Sequence, residues 1–338
     1  MGFPKMVGKR LVYFDFLRGI AILMVIAIHT YAGGDFDTPM GVMRMVERQA
    51  VAVAVPIFLA ISGFFLAQKS LDTNLKRIEF WRRQIPKIYI PCLVWSVPSL
   101  LLSWLTVEAL TWGAVLKSFI VFFLCGFSVY YFVALIVQCY VLLPWLTHVK
   151  SGGVIGAALM SFASVAVIDW FLNIKGYELP LVVYAGPFPV YGFFFVLGIW
   201  LSRRPRTYRL FPLFVLLLLS LVLAMWETKW QMSFHGKGIG IKPSAYLYST
   251  FAVLILFSRR LQDAYTEKSQ IARFLQWVGG MSFGVYLSHI YFIGLAVRLV
   301  PTDSWILKWL VATFLTLAFI AAVKRVAPRF SAKWLGFR

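Results

Sequence analysis

The chain alternates long apolar runs with short polar breaks from one end to the other. Ten runs approach the roughly 20 residues that a bilayer-crossing helix needs. They fall at about 14–31, 50–67, 88–106, 129–147, 153–172, 187–202, 210–226, 244–257, 279–299 and 305–323. A polar stretch, 32–49, is expected as a loop, and a basic, partly amphipathic stretch, 258–276, as another. Val115–Phe127 is apolar but short, which suits a re-entrant or interfacial segment. The predicted fold class is therefore all-α: one polytopic membrane domain over residues 1–338, with about ten transmembrane helices and no soluble domain.

The first run carries groups that lipid rejects. Asp15, Arg18 and His29 are 3 and 11 positions apart. At the helical period, Arg18 and His29 point within about 20° of each other, and Asp15 lies within about 60°. The rise between Arg18 and His29 is roughly 16 Å, about half the hydrocarbon core. Arg18 suits either a pair with Asp15 or an anion site. His29 suits proton transfer or an interhelical hydrogen bond. In the ninth run, Ser282, Tyr286 and His289 share a second polar stripe, readable as interhelical bonding or as part of a site. Arg82, Arg83 and Lys87 form a basic block ahead of the third run, suited to anchoring at anionic lipid or to a phosphate-rich ligand. Asp and Glu are missing from the middles of the predicted spans, unlike the carboxylate relay of a proton-coupled transporter.

Composition agrees: 61% of residues are hydrophobic, and the mean hydropathy is +0.80. The net charge of +20 does not indicate nucleic acid, because the basic residues sit in short blocks between apolar runs. With both termini assigned to the cytoplasm, 23 Lys and Arg fall inside and 9 outside, Arg18 lying within the first span. The first run holds an arginine and lacks a small-residue cleavage site, so it is expected to stay as a helix. Cys92, Cys125 and Cys139 are isolated, and the scattered His and Cys have neither disulfide-framework nor metal spacing.

Asp15-Phe-Leu-Arg-Gly-Ile-Ala, with His29 eleven after the arginine, resembles the opening signature of the acyltransferase-3 family of integral membrane acyltransferases. Phe58-Leu-Ala-Ile-Ser-Gly-Phe-Phe-Leu66, Tyr131-Phe-Val-Ala-Leu-Ile and Ser282-Phe-Gly-Val-Tyr-Leu-Ser-His289 resemble three later motifs, in the family's order. The length is similar to that of short bacterial members that O-acetylate surface polysaccharides. One departure stands out: Gln84 falls where many members carry the first arginine of Arg-x-x-Arg, with Arg83 beside it.

The resemblance implies transfer of an acyl group, most simply acetyl, from cytosolic acetyl-CoA to a sugar hydroxyl of a surface polysaccharide or its lipid-linked precursor across the bacterial inner membrane. It implies His29 as the catalytic residue. Asp15, Arg18, Ser62, Arg82, Arg83, Lys87, Tyr286 and His289 are then expected on substrate, with membrane lipid as surroundings and no metal. The alternatives are a polysaccharide-unit flippase or exporter without chemistry, and a non-catalytic scaffold.

Overall fold

The computed structural model describes residues 12–31, 33–106, 111–203, 208–235 and 240–337. These residues form helices and contain no β-strand. The first helix, α1, is Val12–Thr30, an apolar run that carries Asp15, Arg18 and His29, with Asp15 in its first turn at the positive end of its dipole. It ends before Gly33, whose φ of 82° breaks the helical path.

Next come α2 (Pro39–Val51) and α3 (Ala54–Leu66), laid end to end. The break between them has a cause in the sequence. Pro56 lacks the N–H that would bond to Ala52, so the chain steps through a turn at 52–53. α4 (Asn74–Leu105) runs 32 residues through Pro86, Pro91 and Pro98. Then follow α5 (Trp112–Phe123), α6 (Tyr131–Leu146) and α7 (Ser151–Asp169), the last widening into a π turn over Trp170–Ile174. The remainder is a short α8 (Leu181–Tyr184), α9 (Phe188–Arg203), α10 (Leu210–Met232), α11 (Pro243–Leu256), α12 (Arg259–Ala264), α13 (Gln270–Gly280), α14 (Ser282–Leu299) and α15 (Trp305–Val326).

Eight segments have the length and hydropathy to cross a bilayer: α1, α2–α3, α4, Ser128–Leu146, Ser151–Ile174, α10, α14 and α15. The chain is an all-α polytopic membrane protein. Two expected spans are shorter helices: α9 has 16 residues and α11 has 14. α9 is wrapped by α3, α6 and α7, and Phe193 to Leu197 are all buried, so protein takes the place of lipid around it.

Several boundaries differ from the sequence reading. Residues 39–49 of the expected polar loop are helix, part of α2, opened by Thr38, whose hydroxyl accepts from Gly41 N at 3.0 Å, and by Pro39 in the first turn. Asp35 in turn accepts from Thr38 N, and those bonds hold its carboxyl below the usual carboxylate range. Residues 74–87 belong to α4, so the basic block rides on a helix rather than leading into one. The stretch 258–276 contains α12 and most of α13, each started by a serine cap. α13 and α14 are separate, breaking at Met281 after Gly279-Gly280.

Two backbone approaches fix the centre. A Cβ on Gly19 of α1 would sit 1.9 Å from Leu275 O of α13, and one on Gly279 would sit 1.8 Å from Asp15 O. A Cβ on Gly63 of α3 would lie 2.0 Å from Phe195 O of α9, and one on Gly198 the same distance from Ala60 O. Small residues let membrane helices close to backbone contact. α1 is thereby held among α2, α3, α13, α14 and α15, its polar face turned to the interior.

Candidate active site

A cavity of about 1060 Å³ lies between α1, α2–α3, α6 and α14, with room for more than one small ligand. α1 contributes both Arg18 and His29 to its wall, as their spacing predicts. α2–α3 contributes one helical stripe, Arg48, Ala52, Val55, Phe58 and Ser62. Tyr131, Tyr184, Tyr191 and Tyr286 add aromatic wall.

Near one end is Arg18. Its Nη1 bonds Asp15 Oδ1 at 2.9 Å, and its guanidinium lies 5.0 Å from the Phe65 ring centre. Asp15 is buried while the Arg18 side chain keeps 28% exposure, so the carboxylate steers a cation that still faces the cavity. Ser62 reaches the wall from α3, its hydroxyl donating to Phe58 O at 2.8 Å.

His29 lies toward the other end. Its ring centre is 5.4 Å from that of His289, the planes tilted by 44°. His289 is fully buried and does not line the cavity. Its Nδ1 meets Tyr286 O at 2.7 Å and Val285 O at 3.2 Å; carbonyls only accept, so Nδ1 carries the hydrogen. His289 Nε2 therefore presents a lone pair, buried and without a hydrogen-bond partner among the described residues. This pair is what the two helical stripes could not reveal separately: one imidazole in the cavity wall, backed by another with an unused acceptor.

The family model for an acyltransferase domain, Acyl_transf_3, matches residues 11–325. The chain belongs to the acyltransferase-3 family. No curated protein and no solved structure gives a match. The match takes in α1 to α14 and nearly all of α15, so the cavity is the interior of an acyltransferase-3 domain and acyl transfer is its reaction class.

Within this domain the expected site residues divide. Arg18, His29, Ser62 and Tyr286 share the cavity wall, Asp15 braces Arg18, and His289 stands behind His29. Tyr286 shows its ring, since its hydroxyl donates to Val129 O at 2.6 Å. Arg82, Arg83 and Lys87 are not brought into the wall. Arg82 and Arg83 are exposed on α4, Arg83 lies 3.3 Å from Glu79, and only the following residue, Ile88, reaches the cavity.

Sequence reasoning missed Arg48, Tyr131, Tyr191, Asn173 and His235, all in the wall. Arg48 lies in the stretch expected as a loop, and His235 between the expected spans 210–226 and 244–257. Arg48 had a usable signal: it stands 14 before Ser62, and the steps 4, 3, 3 and 4 between them follow one helix face. Asn173 reaches the wall from the π turn, its amide nitrogen bonding Asp169 Oδ1 at 2.7 Å, which no helical period anticipates.

Proposed function

We propose that this protein transfers an acetyl group from cytosolic acetyl-CoA to a sugar hydroxyl of a surface polysaccharide or its lipid-linked precursor, across the bacterial inner membrane with both termini inside. The observation that carries the proposal is that Arg18 and His29 open into one cavity, about half a bilayer apart. The pantetheine arm of CoA is long and thin enough to bridge that depth. Arg18 binds the polar part of the donor, with Asp15 setting its direction. Arg82, Arg83 and Lys87, on the same side of the membrane as Arg18 in this topology, attract the donor phosphates from outside the cavity.

His29 is the general base. It takes the proton of the acceptor hydroxyl as that oxygen attacks the thioester carbonyl; the C–S bond breaks and the CoA thiolate leaves, to be protonated. His289 is assigned a positioning role: its Nε2, without a partner as the rings stand 5.4 Å apart, takes up the N–H on the far side of the His29 ring once substrate is bound and so presents the basic nitrogen to the cavity. A flippase needs a polar path but neither this imidazole pair nor acetyl-CoA. The test is mass spectrometry of surface glycans from cells with and without the gene. Loss of an acetyl mass from the glycan is the expected result, and an unchanged acetylation pattern overturns the reading.

A further inference from the structure

Arg48 is a cation in the wall of a membrane cavity, and among the described residues it has neither an ion pair nor a hydrogen bond. Its electrostatic neighbours are Tyr191, Tyr31, Tyr131, His29 and a second cation, Lys242. Tyr131, Tyr184 and Tyr191 line the same wall, and their hydroxyls make no hydrogen bond among the described residues. Among the described residues the one carboxylate in the wall is Glu178, on an exposed segment.

Depth follows from the packing of α1 on α3. The Phe14 ring meets Phe64 at 4.6 Å, tilted, and Phe65 at 5.4 Å, edge-on, which levels the start of α1 with the end of α3. Counting back along α3 and α2, Arg48 lies about 25 Å from Phe65; counting forward along α1, His29 lies about 22 Å from Phe14. Arg48 is therefore level with the proposed base, far from Arg18 and the donor's phosphates, and His29 counts it among its electrostatic neighbours.

A half-buried guanidinium with no ion pair, held in the wall of a membrane cavity, draws an anionic partner. Free tyrosine hydroxyls and ring faces around it suit a ligand rich in hydroxyls with one apolar face, which a sugar ring is. We propose that Arg48 makes the acceptor pocket selective for an anionic sugar, one bearing a carboxylate or a phosphate, held with its hydroxyl toward His29. This rests on reading the His29 end of the cavity as the acceptor site.

The test is equilibrium binding of D-glucuronate, glucose 1-phosphate and glucose to the purified full chain in detergent, without acetyl-CoA. A charge-assisted contact of this kind corresponds to about tenfold or more in affinity. The expected result is that at least one of the anionic sugars binds about tenfold more tightly than glucose, and that Arg48→Gln erases the difference while melting like wild type. The carboxylate and phosphate arms identify the group preferred. Arg48→Lys, which keeps the charge, retains part of the preference and serves if the Gln variant does not fold. Equal binding of all three, no measurable binding of any, or a preference that survives Arg48→Gln overturns the proposal. Because turnover is not read, a failure of acetyl transfer shows separately, in the His29 measurement below.

Discussion

Replacing His289 by leucine separates stability from catalysis in an unusual direction. The two side chains have similar volumes, so the fully buried site is refilled without a large cavity. One bond is lost, from Nδ1–H to Tyr286 O at 2.7 Å, a net contribution of about 0.5–1.5 kcal/mol. One liability is also removed: the buried Nε2 acceptor without a partner, which costs about 1–3 kcal/mol where it stands. These nearly cancel, so His289→Leu is expected to melt at the wild-type temperature or slightly above it. Activity moves the other way. The ring centres are 5.4 Å apart with no hydrogen bond between them, so a small rotation of the His29 ring in the substrate-bound state lets His289 Nε2 fix which nitrogen of His29 is basic. Losing an orienting partner of a histidine lowers activity by about 10–100-fold at a metal site and about 10⁴-fold in a serine-protease triad; about 10²-fold is expected here. The assay is acetyl transfer by purified protein beside a thermal melt. The expected pattern is a fall in kcat with an unchanged KM for acetyl-CoA, and partial recovery in His289→Gln, whose amide oxygen can accept. Turnover within a few-fold of wild type, or a melting temperature many degrees lower, refutes the positioning role.

Other consequences are open to measurement. Arg18→Lys keeps the charge but loses the fork geometry, and is expected to weaken acetyl-CoA binding by about tenfold with little change in melting; unchanged affinity with a large loss of stability would make the Asp15–Arg18 pair purely structural. Gly63→Ala places a Cβ 2.0 Å from Phe195 O, where a carbon–oxygen contact needs more than about 3 Å, so α3 and α9 must part and stability should fall by about 1–3 kcal/mol in a denaturant melt; a wild-type melt would contradict the close approach. For orientation, a cysteine at Asp37 should react with an impermeant thiol reagent in intact cells and one at Lys268 should not; both positions are exposed. The reverse pattern would invert the proposed topology.

How far the sequence was readable depends on which signal carried each part. Spans are set by apolar length, and α1, α14 and α15 lie close to where hydropathy puts them. The Arg18–His29 face needs only the helical period, and both residues do line one cavity. α2 was hidden because Arg44, Glu47 and Arg48 read as loop charges, although Thr38-Pro39 is a helix-start signal and Arg48 continues the stripe that ends at Ser62. α10 was ended six residues early, at Trp226, since Glu227 and Lys229 look like a loop; in the fold Glu227 accepts from Ser244 N at 3.0 Å and the helix continues to Met232. The meeting of His29 with His289 joins residues 260 positions apart and is a matter of helix packing. No local period contains it.

The central claim is that His29 is the base. The most direct measurement is acetyl transfer by purified His29→Gln protein that binds acetyl-CoA and melts as wild type does. Glutamine keeps a hydrogen bond at that place but cannot take up a proton near neutral pH. General-base catalysis is worth about 10²–10⁴-fold, so transfer is expected to fall to near background. Donor affinity is expected to hold, because Arg18 lies roughly 16 Å along the helix. Transfer within a few-fold of the wild-type rate would contradict the account, reducing His29 to a polar side chain in the cavity wall.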